Sequence, residues 1–302
     1  MRILLSLLCC AGFSFAAGNP KLNGRWDITV TNEPRHRVWW LELEGVGTAN
    51  PKGKFVSAYA GDMNVIDELA VDGDEVTFGF KPRGGGHPVY KAKLVGNKLE
   101  GTFNKMTWVG VRAPKINEID DGTWKKGKPV ALFNGKDMSG WKALIPDREL
   151  GWVVKDGILT NQPKANNLIT EAKYWNYELH AEYRVGEHSN SGIGLRGRYE
   201  IQILEDFGRP PNTHTNGALY SRVAPKVNAS RKAGEWQTYE IRLVGMTVTV
   251  TLNGVKVLDK VEIEGLTAVA VDANEGEPGP LILQGDHGSV EFRKLVLTPL
   301  TR

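Results

Sequence analysis

Residues 247–261 read TVTVTLNGVKVLDKV. Apolar and polar residues alternate along the run, and Asn253-Gly254 interrupts it. Alternation puts every second side chain on one face, the period of a half-buried β-strand and not of a helix. Asn-Gly between two such runs supplies the positive φ angles of a tight hairpin turn. The same pattern recurs along the chain. Gly96-Asn97 separates VYKAKLV (89–95) from KLEGTFN (98–104), and Asp156-Gly157 divides GWVVKDGILTN (151–161). No long segment keeps a helical period. Thirty-five glycines and nine tryptophans fit many turns and aromatic-rich sheets. The chain therefore reads as all-β.

The first residues stand outside this pattern. MRILLSLLCCAGFSFAAGNP has Arg2, an apolar run and then small residues, with Ala16 or Ala17 at an A-x-A type cleavage site. Residues 1–17 read as a secretory signal peptide, too short for a good membrane span. A secreted or periplasmic location follows. Lipid anchoring at Cys10 is the lesser alternative, because Cys9 and not a small residue precedes it. Both cysteines lie in this leader, so the mature chain is expected to lack disulfides, thiolate metal sites and cysteine nucleophiles. The net charge of +3 is spread out, with no basic stripe, which argues against nucleic acid.

About 285 residues remain, enough for two domains. Residues 21–112 hold six short strand candidates between turn signals and predict a small antiparallel barrel or sandwich. Gly24-Arg25-Trp26 resembles the G-x-W opening of lipocalin-like barrels. This half offers no catalytic set, and His36 and His87 read as surface residues near turns. Trp39 and Trp40 point to opposite faces of one strand. One is expected in a core, and the other on a sugar or on the second domain. Residues 113–129 are polar and carry Pro and Gly, as a linker does. From Val130 to residue 302 the strands are longer and no helix intervenes. Two packed antiparallel sheets follow, a jelly roll whose curved sheet offers a concave face.

Chemistry concentrates in residues 182–204. Arg196, Arg198, Glu200 and Gln202 fall at every other position, opposite Leu195, Tyr199, Ile201 and Ile203. Such a row suits a groove for a polyhydroxylated ligand, and equally a solvated face with cross-strand ion pairs. The strand 177–185 adds Glu178, His180, Glu182 and Arg184 on one face. Were it the neighbour of 195–204, the two rows would merge. His180 and Glu182 would then join the site, and a divalent metal ion becomes conceivable there. No P-loop or Gly-x-Ser-x-Gly is present, so a nucleotide cofactor and a serine elbow are unsupported.

A distributed set of blocks carries a family resemblance. It comprises LFNGKDMSGW (132–141), DGIL (156–159), LITEAKYWNYELHAEYRV (168–185), NSGIGLRGRYEIQIL (190–204), GALYSRVAPKVNAS (217–230), GEWQTYEIRLVG (234–245), LNGVKVLD (252–259) and LQGDHGSVEFRKLVL (283–297). Together they resemble the concanavalin-like jelly roll first catalogued as a domain of unknown function and now described as 3-keto-disaccharide hydrolase. TWVGVRAPK (107–115) resembles the exit of the small β domain that some of these proteins carry in front.

The resemblance implies carbohydrate binding and, in characterised relatives, cleavage of glycosides already oxidised at sugar C3. A C3 ketone acidifies the C2 proton, so a base, a donor at the enolate oxygen and elimination at C1 would suffice, followed by hydration. His287 or Glu200 is the expected base. Arg196 is expected at the enolate oxygen or a sugar hydroxyl. Gln202, Tyr220, Asn190, Gln284, Asp286, Glu182 and His180 are expected to bind the oligosaccharide or glycoside. Each has a plainer reading as a turn, core or ion-pair residue. Two other functions fit the same groove and envelope setting: a carbohydrate-binding module without catalysis, and an interaction protein whose front domain binds a partner.

Overall fold

The computed structural model describes residues 18–33, 37–57 and 61–302. The leader, with Cys9 and Cys10, and His36 lie outside the described residues.

Nine strands form the front sheet: β1 (Gly24–Val30), β2 (Val38–Glu44), β3 (Lys52–Val56), β4 (Met63–Val65), β5 (Glu68–Asp72), β6 (Glu75–Gly79), β7 (Val89–Val95), β8 (Lys98–Phe103) and β9 (Met106–Arg112). Their order is β4-β3-β2-β1-β9-β8-β7-β6-β5. Phe55 of β3 and Phe78 of β6 lie near opposite ends of that order, yet their ring centroids are 5.0 Å apart. The sheet therefore curls on itself into a barrel, filled by Trp39, Phe55, Tyr90 and Trp108. Both tryptophans of β2 are fully buried. Trp39 fills the barrel, while Trp40 points the other way into the core of the second unit with Val38 and Val56. A side chain of about 200 Å² removed from water contributes roughly 5 kcal/mol before entropy, so Trp40 docks the two units firmly.

The segment 113–129 is a strap and not a free tether. Glu118 Oε2 accepts from Trp175 Nε1 at 2.8 Å and from Asn176 Nδ2 at 2.9 Å. Asp120 pairs with the Arg242 guanidinium at 2.8 Å.

The second unit comprises β10 (Lys125–Lys126), β11 (Val130–Ala131), β12 (Trp141–Ala143), β13 (Trp152–Lys155), β14 (Ile158–Asn161), β15 (Leu168–Thr170), β16 (Tyr177–Val185), β17 (Asn190–Leu195), β18 (Tyr199–Leu204), β19 (Gln237–Val244), β20 (Thr247–Leu252), β21 (Val255–Glu262), β22 (Ile282–Leu283) and β23 (Val290–Thr301). One sheet runs β13-β14-β23-β16-β19-β20-β21, with β10 and β11 added along β23. The other runs β12-β15-β22-β17-β18. Leu179, Ala181 and Tyr183 of the first meet Ile193, Tyr199 and Ile201 of the second in one core. The chain is all-β, a jelly-roll sandwich behind a barrel. The Asn253-Gly254 and Asp156-Gly157 turns have positive φ at both residues and close two-residue hairpins.

Two expectations need correction. The run 193–204 is not one strand. Arg196 and Gly197 take positive φ, 51° and 69°, and form the turn between β17 and β18. Nor do β16 and β18 adjoin. β16 lies between β19 and β23 in one sheet, whereas β18 pairs with β17 in the other.

Candidate functional site

Alternation sorts the five-stranded sheet into two faces. Ile193, Leu195, Tyr199, Ile201, Leu281 and Leu283 point into the sandwich core. Asn190, Gly192 and Gly194 of β17, Glu200 and Gln202 of β18, and Ile282 and Gln284 on the β22 line are therefore on the other face. The registers Gly194↔Glu200 and Gly192↔Gln202 align them into rows. Beyond β18 the chain adds one more short rung. Ile201 bridges Leu219, Tyr220 N–H donates to the Glu200 carbonyl at 3.0 Å, and Gln202 N–H donates to the Ala218 carbonyl at 3.0 Å. Leu219 is in the core, so Tyr220 stands beside Glu200 on the outer face.

Glu200 is 3 % exposed, and its carboxyl group accepts no hydrogen bond among the described residues. Its chain folds over Gly192, where any Cβ would collide with Glu200 Oε1. Burial pushes the Glu200 carboxyl up to about 8, with His287 opposing and Asp286 adding to the shift. A buried carboxyl without donors keeps its proton because water no longer stabilises the charge.

His287 follows the β22 line in a Gly-flanked loop. Asn167 Oδ1 accepts from the N–H groups of Gly285 and Asp286 at 2.8 and 3.1 Å and fixes that loop. His287 Nδ1 meets Asp286 Oδ1 at 2.7 Å, so the neighbours do pair. That bond raises the imidazole above its ordinary value against the effect of burial, and Glu200 raises it further. Burial pushes the Asp286 carboxyl up, but the bonds and charge of His287 outweigh it and the net shift is downward. A carboxylate behind an imidazole favours its cationic form and orients it.

Three side-chain amides complete the face. Asn190 Oδ1, Gln202 Oε1 and Gln284 Oε1 are buried without a hydrogen-bond partner among the described residues. Gln202 Nε2 donates to the His214 carbonyl at 3.2 Å. Unpaired buried acceptors cost about 1–3 kcal/mol each, so a face that keeps three of them suits a hydroxyl-bearing ligand.

The other candidates lie elsewhere. Arg196, expected at the enolate oxygen, is fully buried at the far end of β17. Its Nε donates to the Trp175 carbonyl at 2.7 Å, Nη1 to the Gly245 carbonyl at 2.9 Å and Nη2 to Asn176 Oδ1 at 2.8 Å. Its guanidinium stacks 3.8 Å from the Trp175 ring. Each of its three nitrogens is spent on structure. Arg198 likewise binds Asp272 at 2.6 Å. His180 and Glu182 are on the outward face of β16, in the opposite sheet. His180 pairs with Glu240 at 2.5 Å and with Glu182 at 3.2 Å, and Glu182 also binds Arg293 at 2.5 Å. They form the solvated ion-pair face, not part of the groove. Among the described residues no group of three or more His, Cys, Asp or Glu is placed to hold a metal ion.

A residue of the front barrel also reaches this edge of the face. Asp62 Oδ1, from the front barrel, meets His214 Nε2 at 2.6 Å, and the His214 ring stands edge-on to Tyr220 with centroids 5.0 Å apart. No pattern around Asp62 marks it, because the contact joins residues 152 positions apart. Concavity alone does not find the site either. A cleft of about 440 Å³ lies between the units beside Arg25, Glu42 and Glu275, and one of about 470 Å³ lies on the barrel. Neither holds Glu200 or His287.

A curated 3-keto-disaccharide hydrolase of Bacteroides thetaiotaomicron is 23% identical over 166 residues, 43% of this chain. The chain spans only 57% of that relative's length. A solved structure from Parabacteroides distasonis, named as a candidate glycosyl hydrolase, superposes with a TM-score of 0.50 at 28% identity, over 61% of this chain and 93% of that one. Another from the same organism, named alike, gives a TM-score of 0.48 at 21% identity over 57% of this chain and 94% of that one. The family described as the 3-keto-alpha-glucoside-1,2-lyase-like domain matches residues 128–298. That span is more than half of the chain and contains Glu200, His287 and the three amides, and on this match the chain belongs to the 3-keto-alpha-glucoside-1,2-lyase-like family.

Proposed function

We propose that this protein is a carbohydrate-active enzyme that cleaves glycosides carrying a ketone at C3. The observation that carries the reading is the placement of the Glu200 carboxyl, buried over Gly192 without donors among the described residues, on the face that the Asp286-paired His287 borders; burial pushes it up to about 8. A base of that strength is matched to removing a proton made acidic by an adjacent ketone.

In its ionised form, a minority near neutral pH that grows as pH approaches 8, Glu200 takes the C2 proton. The C2–H electron pair becomes the enolate, and its charge collects on the C3 oxygen, where the Asp286-held imidazolium of His287 donates. The enolate collapses, the C1–O bond breaks, and the leaving oxygen takes a proton. Water then adds across the new C1–C2 double bond, its hydroxyl going to C1 and a proton to C2. The net result is hydrolysis. Gln202, Gln284 and Asn190 accept from sugar hydroxyls, and Tyr220 flanks the reacting unit. Arg196 has no role in this scheme. Two carboxylates flanking an oxocarbenium ion are not required.

A non-catalytic sugar-binding module is the second reading, because three unpaired amide acceptors would serve it equally. The test is incubation with a panel of 3-keto-glycosides and their unoxidised parents, with and without chelator. Product from the ketones alone, lost in Glu200→Ala and His287→Ala without unfolding, supports the enzyme. Saturable binding without product supports the module. Full activity in both variants removes the assignment.

A further inference from the structure

We propose that the front barrel is part of the substrate site: Asp62, with His214 and Tyr220, walls off the β18 end of the groove and binds the sugar unit that abuts it. The inference rests on the sugar-site reading of the Glu200 face. It also concerns a residue outside the 128–298 span that defines the family.

The argument begins with the sheet order. The face runs β12-β15-β22-β17-β18 and ends, past β18, at the rung that carries Tyr220. A glycan laid across the strands would have to leave over that rung. There the barrel stands in the way. A Cβ at Gly61 would lie 3.8 Å from the Tyr220 hydroxyl, and Met63 N–H donates to Ser221 Oγ at 2.8 Å. Asp62 lies between these two contacts and holds His214 at 2.6 Å, while Arg83 Nε is 3.5 Å from its other oxygen. The wall cannot swing aside cheaply. Trp40 of the barrel is buried in the sandwich core and lies against Gly265, and the Arg222 guanidinium is 5.6 Å from its ring.

The chemistry of the wall fits a sugar end. Asp62 brings a carboxylate that meets the Tyr220 hydroxyl and, 3.5 Å away at Oδ2, a largely exposed arginine, and its oxygens carry further lone pairs that can accept from a sugar hydroxyl. Burial, then the nearby carboxylates of Asp62 and Glu200, push the Tyr220 hydroxyl up to about 12, so it stays a neutral donor. A groove closed at one end takes the terminus of a short glycoside and rejects the interior of a polymer.

The experiment uses the full chain with Asp62→Asn and Tyr220→Phe. It reads turnover of a 3-keto-disaccharide and of a longer glycan oxidised internally, and calorimetric binding of the unoxidised disaccharide. Wild type should favour the disaccharide and leave the internally oxidised glycan uncut. Each variant should lower kcat/KM about tenfold through KM, as loss of one hydroxyl contact does. Disaccharide binding should weaken in parallel, with the thermal midpoint held. Unchanged KM and binding in both variants, or equal cleavage of the internally oxidised glycan by wild type, overturns the proposal. Binding that responds to Asp62→Asn in a protein that turns over nothing would keep the wall and sink the enzyme reading. Absence of both turnover and binding in wild type overturns the wall as well.

Discussion

Glu200 lies over Gly192, the glycine diagonal to it on the neighbouring strand, so closely that a methyl group there would occupy the space of the Glu200 carboxyl. Glycine at 192 is thus a condition of the site and not of the backbone, because its φ is not among the positive ones. Gly192→Ala should swing the carboxyl off its position. A misplacement on the order of 1 Å costs about 100-fold in rate. Turnover of a 3-keto-glycoside should fall by about that factor while circular dichroism and the strand content stay unchanged. Wild-type turnover in this variant would mean that Glu200 is not the reacting group.

Arg196 makes the opposite prediction. It satisfies the carbonyls of Trp175 and Gly245 and the Asn176 side chain, and Asn176 Oδ1 also accepts from Gly245 N–H. Arg196→Ala leaves buried acceptors unpaired and opens a hole against the Trp175 ring. A loss of about 3 kcal/mol in a urea titration is expected. The folded fraction should keep its turnover within about twofold. A variant of full stability and no activity would return Arg196 to the catalytic set.

These two residues mark what the sequence discloses. Gly96-Asn97, Asp156-Gly157 and Asn253-Gly254 announce their hairpins because turn and alternation are local properties. The faces of β16 and of β18 were legible for the same reason. Sheet partnership is not local, so whether Glu182 shares a groove with Glu200 could not be read from spacing. Arg196 misleads because an Arg-Gly-Arg run keeps the alternation even where Arg196 and Gly197 turn at positive φ. His287 and Asp286 pair although side chains of neighbours on an extended chain diverge, because the loop tied down by Asn167 is not extended, and that tie is invisible in the sequence. Asp62 was invisible because its contact with His214 exists only across the docked interface.

The bond from Asp286 sets the charge of His287. Asp286→Asn cannot stabilise an imidazolium, so the pKa of His287 should fall. If the cation is the donor to the enolate, turnover needs His287 protonated, and the high-pH limb of the rate profile should move to lower pH. At pH 7 kcat should drop about 10- to 100-fold. An NMR titration of the His287 ring reads the shift directly. A fall in rate with no movement of that titration would assign Asp286 to substrate contact instead.

Glu200 also ties stability to pH. Its folded value of about 8 is above the ordinary 4.5, so the native state holds a proton that the unfolded chain gives up. Below 4.5 both states are protonated and nothing is lost. As pH rises from 4.5 through 8 the native advantage drains away, because staying folded means either keeping the proton or burying a charge. Glu200→Gln keeps the shape and removes the titration. The variant should match wild type at pH 4.5 and exceed it at pH 8.5 by a few kcal/mol, on the order of 4. Urea midpoints of the two proteins at the two pH values give the answer. A gain of equal size at both would show that the amide packs better, and that the Glu200 carboxyl is not held protonated by burial.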